Sequence, residues 1–144
     1  MFSGRTRTER VERLGGGTYC VFPLQDYVRA LREEPEYGKH GENGITLVKI
    51  PGLRVMLKVL RGGAMLAEHR APGPVTVLVL EGEVRFHTEE DVFRIHQDGV
   101  LALPAGCSHA VEAMSPSAFL ITIAPEGPVD AALHDGRLPG DPHL

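Results

Sequence analysis

Several features that define common function classes are scarce or missing from this chain of 144 residues. It has only two cysteines, Cys20 and Cys107, and a pair so far apart in a chain without a secretion signal predicts two free thiols. No apolar run approaches the roughly 20 residues of a membrane-spanning helix, and the opening "MFSGRTRTER" lacks the apolar core of a signal peptide. We therefore expect a cytoplasmic protein with no membrane partner.

An excess of positive charge is also missing. The net charge is -4, and no basic stripe is interleaved with aromatic residues, which argues against a nucleic-acid surface. The glycines of "RGGAML" do not make a phosphate loop, because the required Lys-Ser/Thr pair is lacking. No nucleophile elbow occurs either. Small molecules and protein partners are the classes of ligand that remain.

The length and the hydrophobic content of 42% fit one globular domain with its own core. The first 43 residues predict an arm followed by one short helix. Leu24, Tyr27, Val28 and Leu31 have helical spacing, and Pro35 is expected to stop the helix.

From residue 44 to residue 124 the hydrophobic period changes to two, which is typical of strands. Turn signals such as Pro-Gly, Gly-Gly, Glu-Gly and Asp-Gly separate short segments that are apolar or β-branched. The candidate strands are ITLVKI, LRVMLKVLR, VTVLVL, EVRFH, DVFRIH, VLALP, HAVEA and AFLITIA. This pattern predicts an all-β sandwich or barrel, followed by an irregular tail over residues 125–144.

Two segments of the predicted barrel share a plan in which one histidine lies in a strand-rich stretch. In the first, His69 lies between Gly63 and Gly82. In the second, His109 follows the loop that begins at Pro104 and contains Gly106. Proline fixes the turn in such a loop, and glycine permits a positive φ.

These spacings resemble the two motifs of the cupin superfamily, G-x5-H-x-H-x3-E-x6-G and G-x5-P-x-G-x2-H-x3-N, over about residues 44–124. Four positions of the motifs differ. Ala71 and Val75 stand where the first motif has its second histidine and its glutamate. Asp98 replaces the first glycine of the second motif, and Ala113 replaces its asparagine.

The resemblance implies a small single-domain cupin, that is, a double-stranded β-helix or jelly roll with a short N-terminal helix. Many cupins hold a divalent metal through three histidines and one glutamate, and use it for dioxygenation or isomerisation. This chain keeps two of those four ligand positions, His69 and His109, whereas a catalytic metal usually needs about three protein ligands. The resemblance therefore implies a degenerate or absent metal site.

Other possible donors for the missing positions are two further histidines and a cysteine. In "EVRFH" and "DVFRIH", Val84, Phe86, Phe93 and Ile95 are expected to face the interior, so alternation sends both histidines, at 87 and 96, outward. Cys107 shares parity with the histidine of its own segment and lies in the Pro-Gly loop. A site for Zn, Fe, Mn or Ni made by His69, His109 and Cys107 is thus an alternative.

The interior is predicted to be a narrow, mostly apolar pocket with the two histidines at its polar end, which is a common form of small-molecule site. The predicted lining residues are Ala71, Val75, Val77, Val111, Ala113, Phe119 and Ile121. We expect a binding or sensing module for a small molecule. The alternatives are a metal-dependent oxygenase or isomerase, whose substrate completes the metal shell, and metal-free proton transfer by the histidine pair.

The segment "VTVLVL" is apolar on both faces. Val75, Val77 and Val79 would fill the barrel, while Leu78 and Leu80 would lie outside it. Either the N-terminal segment or a second subunit must then cover the outer face. We expect a homodimer.

Overall fold

The computed structural model describes residues 19–125. The predicted arm up to residue 18 and the predicted irregular tail from residue 126 lie outside these described residues. Nine strands form the body of the fold: β1 (Glu42–Ile50), β2 (Leu53–Leu60), β3 (Met65–His69), β4 (Val75–Glu81), β5 (Glu83–His87), β6 (Val92–His96), β7 (Val100–Leu103), β8 (His109–Ala113) and β9 (Ser117–Ile123). They run from Glu42 to Ile123, where the sequence predicts a barrel over 44–124.

The strands form two antiparallel sheets, one with five strands in the order β1-β2-β9-β4-β7 and one with four in the order β3-β8-β5-β6. Apart from the consecutive pairs β1-β2 and β5-β6, neighbours in each sheet come from distant parts of the chain, as in a jelly roll. The predicted all-β fold is therefore confirmed.

The main hydrophobic core lies between the two sheets. Val77 and Phe119 come from the five-stranded sheet, and Phe86 and Val111 from the four-stranded sheet, and each is at most 2% exposed. Alternation explains this arrangement, because every second residue of a strand points to the same face. Burial of each such side chain contributes about 1.5–3 kcal/mol.

Within the described residues, two helices precede the barrel, α1 (Leu24–Glu33) and α2 (Pro35–His40). The sequence predicts only the first. Pro35 does end α1, because it pushes Glu34 into an extended conformation, but it also begins α2. Proline is well tolerated at a first helical position, where its missing N–H has no partner to lose. Neither helix of residues 19–125 has the length and apolar content that crossing a membrane requires.

Helix α1 covers the outer face of the five-stranded sheet. Val28 and Leu31 are buried in a second hydrophobic cluster with Leu57 and Val59 of β2, and Leu80 packs against the same cluster. The N-terminal segment, the first of the two predicted alternatives, thus covers this part of the face.

Two other expectations about the strands are wrong. The segment Met65–His69 is a strand, β3, that is missing from the predicted set. Phe93 is 39% exposed rather than interior, although Ile95 on the same strand is buried. Strand β6 is the last strand of its sheet, so Phe93 has neighbours on one side only.

Candidate functional site

The two candidate histidines lie on neighbouring strands of the four-stranded sheet. His69 at the end of β3 and His109 at the start of β8 are directly opposite partners in the antiparallel register. The sequence predicts both histidines at the polar end of one pocket but not as directly opposite partners, because this register depends on contacts distant in the chain. The predictions that concern the side chain of His69 fall outside what the structure describes.

A β-bulge produces this pairing. Leu66 is opposite Val111, and the register then shifts before His69 meets His109. Two residues of β3 therefore stand against one residue of β8. Without the extra residue, Glu68 would be the partner of His109, since a slip of one residue exchanges the faces of a strand.

His109 is held in a buried position, with 4% of its surface exposed. Its Nδ1 lies 3.0 Å from the carbonyl oxygen of Cys107, and its ring centroid is 5.9 Å from that of Phe86. A carbonyl oxygen only accepts, so Nδ1–H donates this hydrogen bond, and in the neutral ring Nε2 is the acceptor nitrogen. The bond and the ring contact together fix the orientation of the imidazole.

Ser108 and Glu68 form a second contact between the same two segments. Ser108 is 4% exposed, and its hydroxyl donates a hydrogen bond to Oε1 of Glu68. Each residue immediately precedes one of the two histidines in the chain. The sequence predicts neither role, and the only signal for them is this adjacency.

A polar cleft of about 310 Å³ opens beside these segments. It is lined by Arg70, Thr88, Glu89, Glu90, Asp91, Gly106, Cys107 and Ser108. Arg70 spans it, with its Nη2 3.3 Å from Oε1 of Glu89 and its Nη1 3.4 Å from the carbonyl oxygen of Gly106. Both side chains of the ion pair are mostly exposed, so the pair contributes at most about 1 kcal/mol.

All the apolar residues predicted to line the pocket lie together in the main core cluster. None of them is more than 9% exposed, and none lines the polar cleft. These residues are Ala71, Val75, Val77, Val111, Ala113, Phe119 and Ile121. The core cluster and the cleft share Cys107, which packs against the former and lines the latter.

The donors described near His109 do not make a metal-ligand set. Within the part of the chain that the structure describes, no group of three or more His, Cys, Asp or Glu side chains is placed to hold an ion. Ala71 and Val75, at the positions where cupins carry two further ligands, have no side-chain donor atoms and are buried among apolar neighbours. Two of the four ligand positions of the cupin motifs therefore carry no donor in this chain. Cys20 and Cys107 are not joined in a disulfide, as predicted.

The histidines at 87 and 96 are on the outer face of the four-stranded sheet, as alternation predicts. Nε2 of His87 lies 3.2 Å from Oε1 of Glu112, and Nδ1 of His96 lies 3.1 Å from Oε1 of Glu83. The outward direction follows because Val84 and Phe86, which alternate with His87 on β5, and Ile95, which precedes His96 on β6, face the core. These two histidines take no part in the interior site.

Glu83 has a lowered carboxyl pKa on that outer face. The main cause is its hydrogen bonding with Arg94, whose Nη2 and Nε lie 2.8 and 3.1 Å from Oε2. Partial burial opposes the shift, whereas the charges of Arg94, His96 and Arg85 reinforce it. The ionised form of Glu83 is thus favoured in the folded protein.

Known structures share this fold. One is a conserved protein of unknown function from Streptococcus pyogenes, with 22% identity, a TM-score of 0.59, and coverage of 62% of this chain and 79% of that one. Another is an RmlC-like cupin from Desulfovibrio desulfuricans, with 24% identity, a TM-score of 0.57, and coverage of 65% and 91%. A cupin 2 conserved barrel domain protein from Leptotrichia buccalis has 28% identity and a TM-score of 0.56, covering 58% of this chain and 40% of that one.

No family model and no curated protein matches the chain. The solved structures nevertheless define the class of fold, which is the jelly roll of the cupins. The described part of the chain therefore has the cupin fold, as the resemblance of its two motifs predicts.

Proposed function

We propose that this cupin domain binds a small molecule in its barrel, with His69 and His109 at the polar end of the site and no resident metal. The seven buried apolar residues predicted to line the pocket form the wall against which the ligand packs. The polar cleft beside Cys107 is the entrance. The ligand class that suits this combination is a small apolar acid or aldehyde. Its apolar body packs on the wall, and its oxygen accepts a hydrogen bond from the histidine pair, through Nε2 of His109 when that ring carries both protons.

One observation carries the proposal: His109 is a buried, oriented histidine directly opposite a second histidine in the register. A ring fixed by the Cys107 carbonyl and by Phe86 is preorganised, which reduces the entropy lost when a ligand binds.

The absence of a resident metal in the proposal is supported by the donor set. Ala71 and Val75, at the positions where cupins carry two further ligands, have no side-chain donor atoms and are buried among apolar neighbours. The competing function is a metal-dependent oxygenase or isomerase that uses His69, His109 and Cys107 or a ligand from substrate. It requires an ion that binds although Ala71 and Val75 supply no ligand.

Thermal melting of the purified protein with a panel of small apolar carboxylic acids and aldehydes tests the proposal. A compound that binds the folded state and not the unfolded state stabilises the protein, by about 2.7 kcal/mol at a concentration of 100 times its Kd. We expect at least one compound to raise the Tm of the wild type. The increase should disappear in His109→Ala.

His96→Ala is the matched control, since this histidine is 70% exposed on the outer face. The control should respond to the compound as the wild type does. A response that survives in His109→Ala would contradict the proposed site, as would a panel in which no compound raises the Tm of the wild type.

A further inference from the structure

Glu68 and Ser108 join the two segments that carry the candidate histidines. We infer that their hydrogen bond, called here the Glu68–Ser108 clasp, is a positioning device that holds His69 opposite His109. The inference rests on the proposed function for its purpose, because the histidine pair is the polar end of the proposed site. The effect of the clasp on the strand register rests on separate structural observations, which do not depend on that function.

The start of β3 is fixed by backbone hydrogen bonds. The amide of Gly63 donates to the carbonyl oxygen of Ala113 at 2.8 Å, and the amide of Ala113 donates to the carbonyl oxygen of Ala64 at 2.9 Å. These bonds establish the register that continues to Leu66 and Val111. They do not determine what happens after Leu66, where the extra residue of the bulge enters.

Two registers compete beyond Leu66. A regular strand would bring Glu68 opposite His109, whereas the bulge brings His69 there. Strand β3 is short and lies at the edge of its sheet, so it pairs with β8 alone. The backbone hydrogen bond from the Gly106 amide to the Ala71 carbonyl oxygen, at 3.1 Å, lies beyond the bulge and is compatible with the bulged register. Pairing on one side leaves side-chain contacts a part in the choice between the two registers.

The clasp favours the bulged register. Ser108 immediately precedes His109 and is buried, and in the bulged arrangement its hydroxyl donates to the Glu68 carboxylate. A hydrogen bond to an ionised acceptor is roughly twice as strong as one between neutral groups. If Glu68 moved to the position opposite His109, the buried hydroxyl would lose this acceptor, and leaving a buried donor unpaired is unfavourable.

The contact is specific to the bulge rather than to the strand as a whole. Glu68 is exposed except for this contact, so its side chain adds nothing to the hydrophobic core. Its substitution should therefore change the register and leave the barrel folded. This separates a positioning role from a general structural one.

The test is NMR spectroscopy on the ligand-free full chain, using cross-strand NOEs between backbone protons of residues 66–69 and 109–111. The variants are Ser108→Ala and Glu68→Ala, which remove the donor and the acceptor in turn. We expect the NOEs between positions 69 and 109 to lose at least half of their intensity in both. NOEs that connect positions 68 and 109 should appear in their place.

Two conservative variants should rescue the register. Ser108→Thr keeps a hydroxyl donor, and Glu68→Gln keeps an acceptor oxygen, so both should retain the wild-type NOEs. The matched control is Ser117→Ala, which removes another buried serine hydroxyl from β9 of the other sheet, where it lies 2.7 Å from the Ser115 carbonyl oxygen. This control should lower the stability without changing the NOEs of β3.

Wild-type NOEs in Glu68→Ala would overturn the inference, and this exposed position decides the matter even if Ser108→Ala fails to fold. Loss of the register in Glu68→Gln and Ser108→Thr as well would also overturn it, because any disturbance would then suffice. The readout needs no ligand. A wild type that binds no compound while Glu68→Ala changes register would defeat the proposed function and leave the clasp in place.

Discussion

Arg32 of α1 and Glu81 at the end of β4 form an ion pair, with Nη1 of the arginine 2.7 Å from Oε2 of the glutamate. Both side chains are about 30% exposed, at 28% and 33%, so solvent screens the pair less than a fully exposed one. The contact joins the last turn of the helix to the barrel. Its barrel residue, Glu81, immediately precedes the tight turn at Gly82. Helix and barrel are thus connected by a charged contact as well as by the second hydrophobic cluster.

Gly82→Ala should be among the most destabilising substitutions that add a single methyl group to this protein. Gly82 has φ +80°, and a Cβ there would overlap the Pro116 carbonyl oxygen and the side chain of Ser117. We expect a loss of about 2–5 kcal/mol in the free energy of unfolding, since backbone strain and overpacking add. Urea denaturation measures it.

Gly63→Ala is the matched control for this prediction. Gly63 has a similar φ of +86°, but a Cβ there would meet nothing within 4 Å. Gly63→Ala should lower the free energy of unfolding by about 1–2 kcal/mol, the backbone strain of an alanine at this φ. Equal losses for the two variants would show that the crowding at Gly82 is unimportant.

Leu31→Ala should destabilise the whole domain rather than the helix alone. Leu31 is fully buried between α1 and the five-stranded sheet. Truncation of a buried leucine to alanine costs about 2–5 kcal/mol, depending on how well the cavity collapses. Gln25→Ala, an exposed change on the same helix, should stay within about 0.5 kcal/mol. Similar unfolding curves for the two variants would mean that α1 is not packed on the barrel.

The fold was largely predictable because its signals are local. The limits of β5 and β8 were predicted exactly, since alternation and the flanking turns define them. Strand β3 was missed because its bulge breaks the period of two between Leu66 and His69. Phe93 was misplaced because alternation gives the face of a residue but not whether a neighbouring strand covers it.

The carboxyl group of Glu83 should titrate below the ordinary value of 4.5. Its folded-state pKa is lowered, so its contribution to stability is full above the unfolded pKa and is lost as the pH falls through the lowered one. NMR titration of the carboxyl carbon measures this pKa directly. Arg94→Ala should raise it toward the ordinary value, because the principal hydrogen-bond donor is removed. An unchanged pKa in Arg94→Ala would contradict the assignment of the cause, and Arg54→Ala, on the other sheet, serves as control.

Removal of divalent metal should leave the stability unchanged. After dialysis against a chelator, we expect the same Tm as before, and metal analysis with added Zn, Fe, Mn or Ni should give well under one ion per chain. The reason is that Ala71 and Val75 offer no donor atoms at two of the four positions. One ion per chain that is lost in His109→Ala and retained in His96→Ala would instead support the metal-enzyme alternative.

The homodimer stays a prediction, and the structure suggests where to test it. Helix α1 covers Leu80, but Leu78 and its cross-strand partner Val100 are outside the helix-covered cluster, and Val100 is 62% exposed. Sedimentation equilibrium should give the mass of a dimer, and Val100→Glu should reduce it to that of a monomer. Val92→Glu, at a 57% exposed residue of the other sheet, is the control. A wild-type monomer would refute the prediction.

The candidate site was only partly accessible from the sequence. The motif positions of His69 and His109 could be read directly, because the spacing of each motif is local. Their direct pairing, the hydrogen bond from Ser108 to Glu68 and the cleft spanned by Arg70 could not, since each joins segments about 20–40 residues apart. Such contacts depend on the strand register, which a single sequence does not specify.

The packing of α1 on the barrel also limits how this chain can change during evolution. A descendant that lost residues 24–33 would expose Leu57 and Val59 to water, while one that exchanged these leucine and valine residues for polar ones would leave Val28 and Leu31 without a partner surface. The helix and the outer face of β2 must therefore be inherited together. Recombination that divides the chain between them would give two incomplete parts, even though the strands alone make up the recognisable barrel.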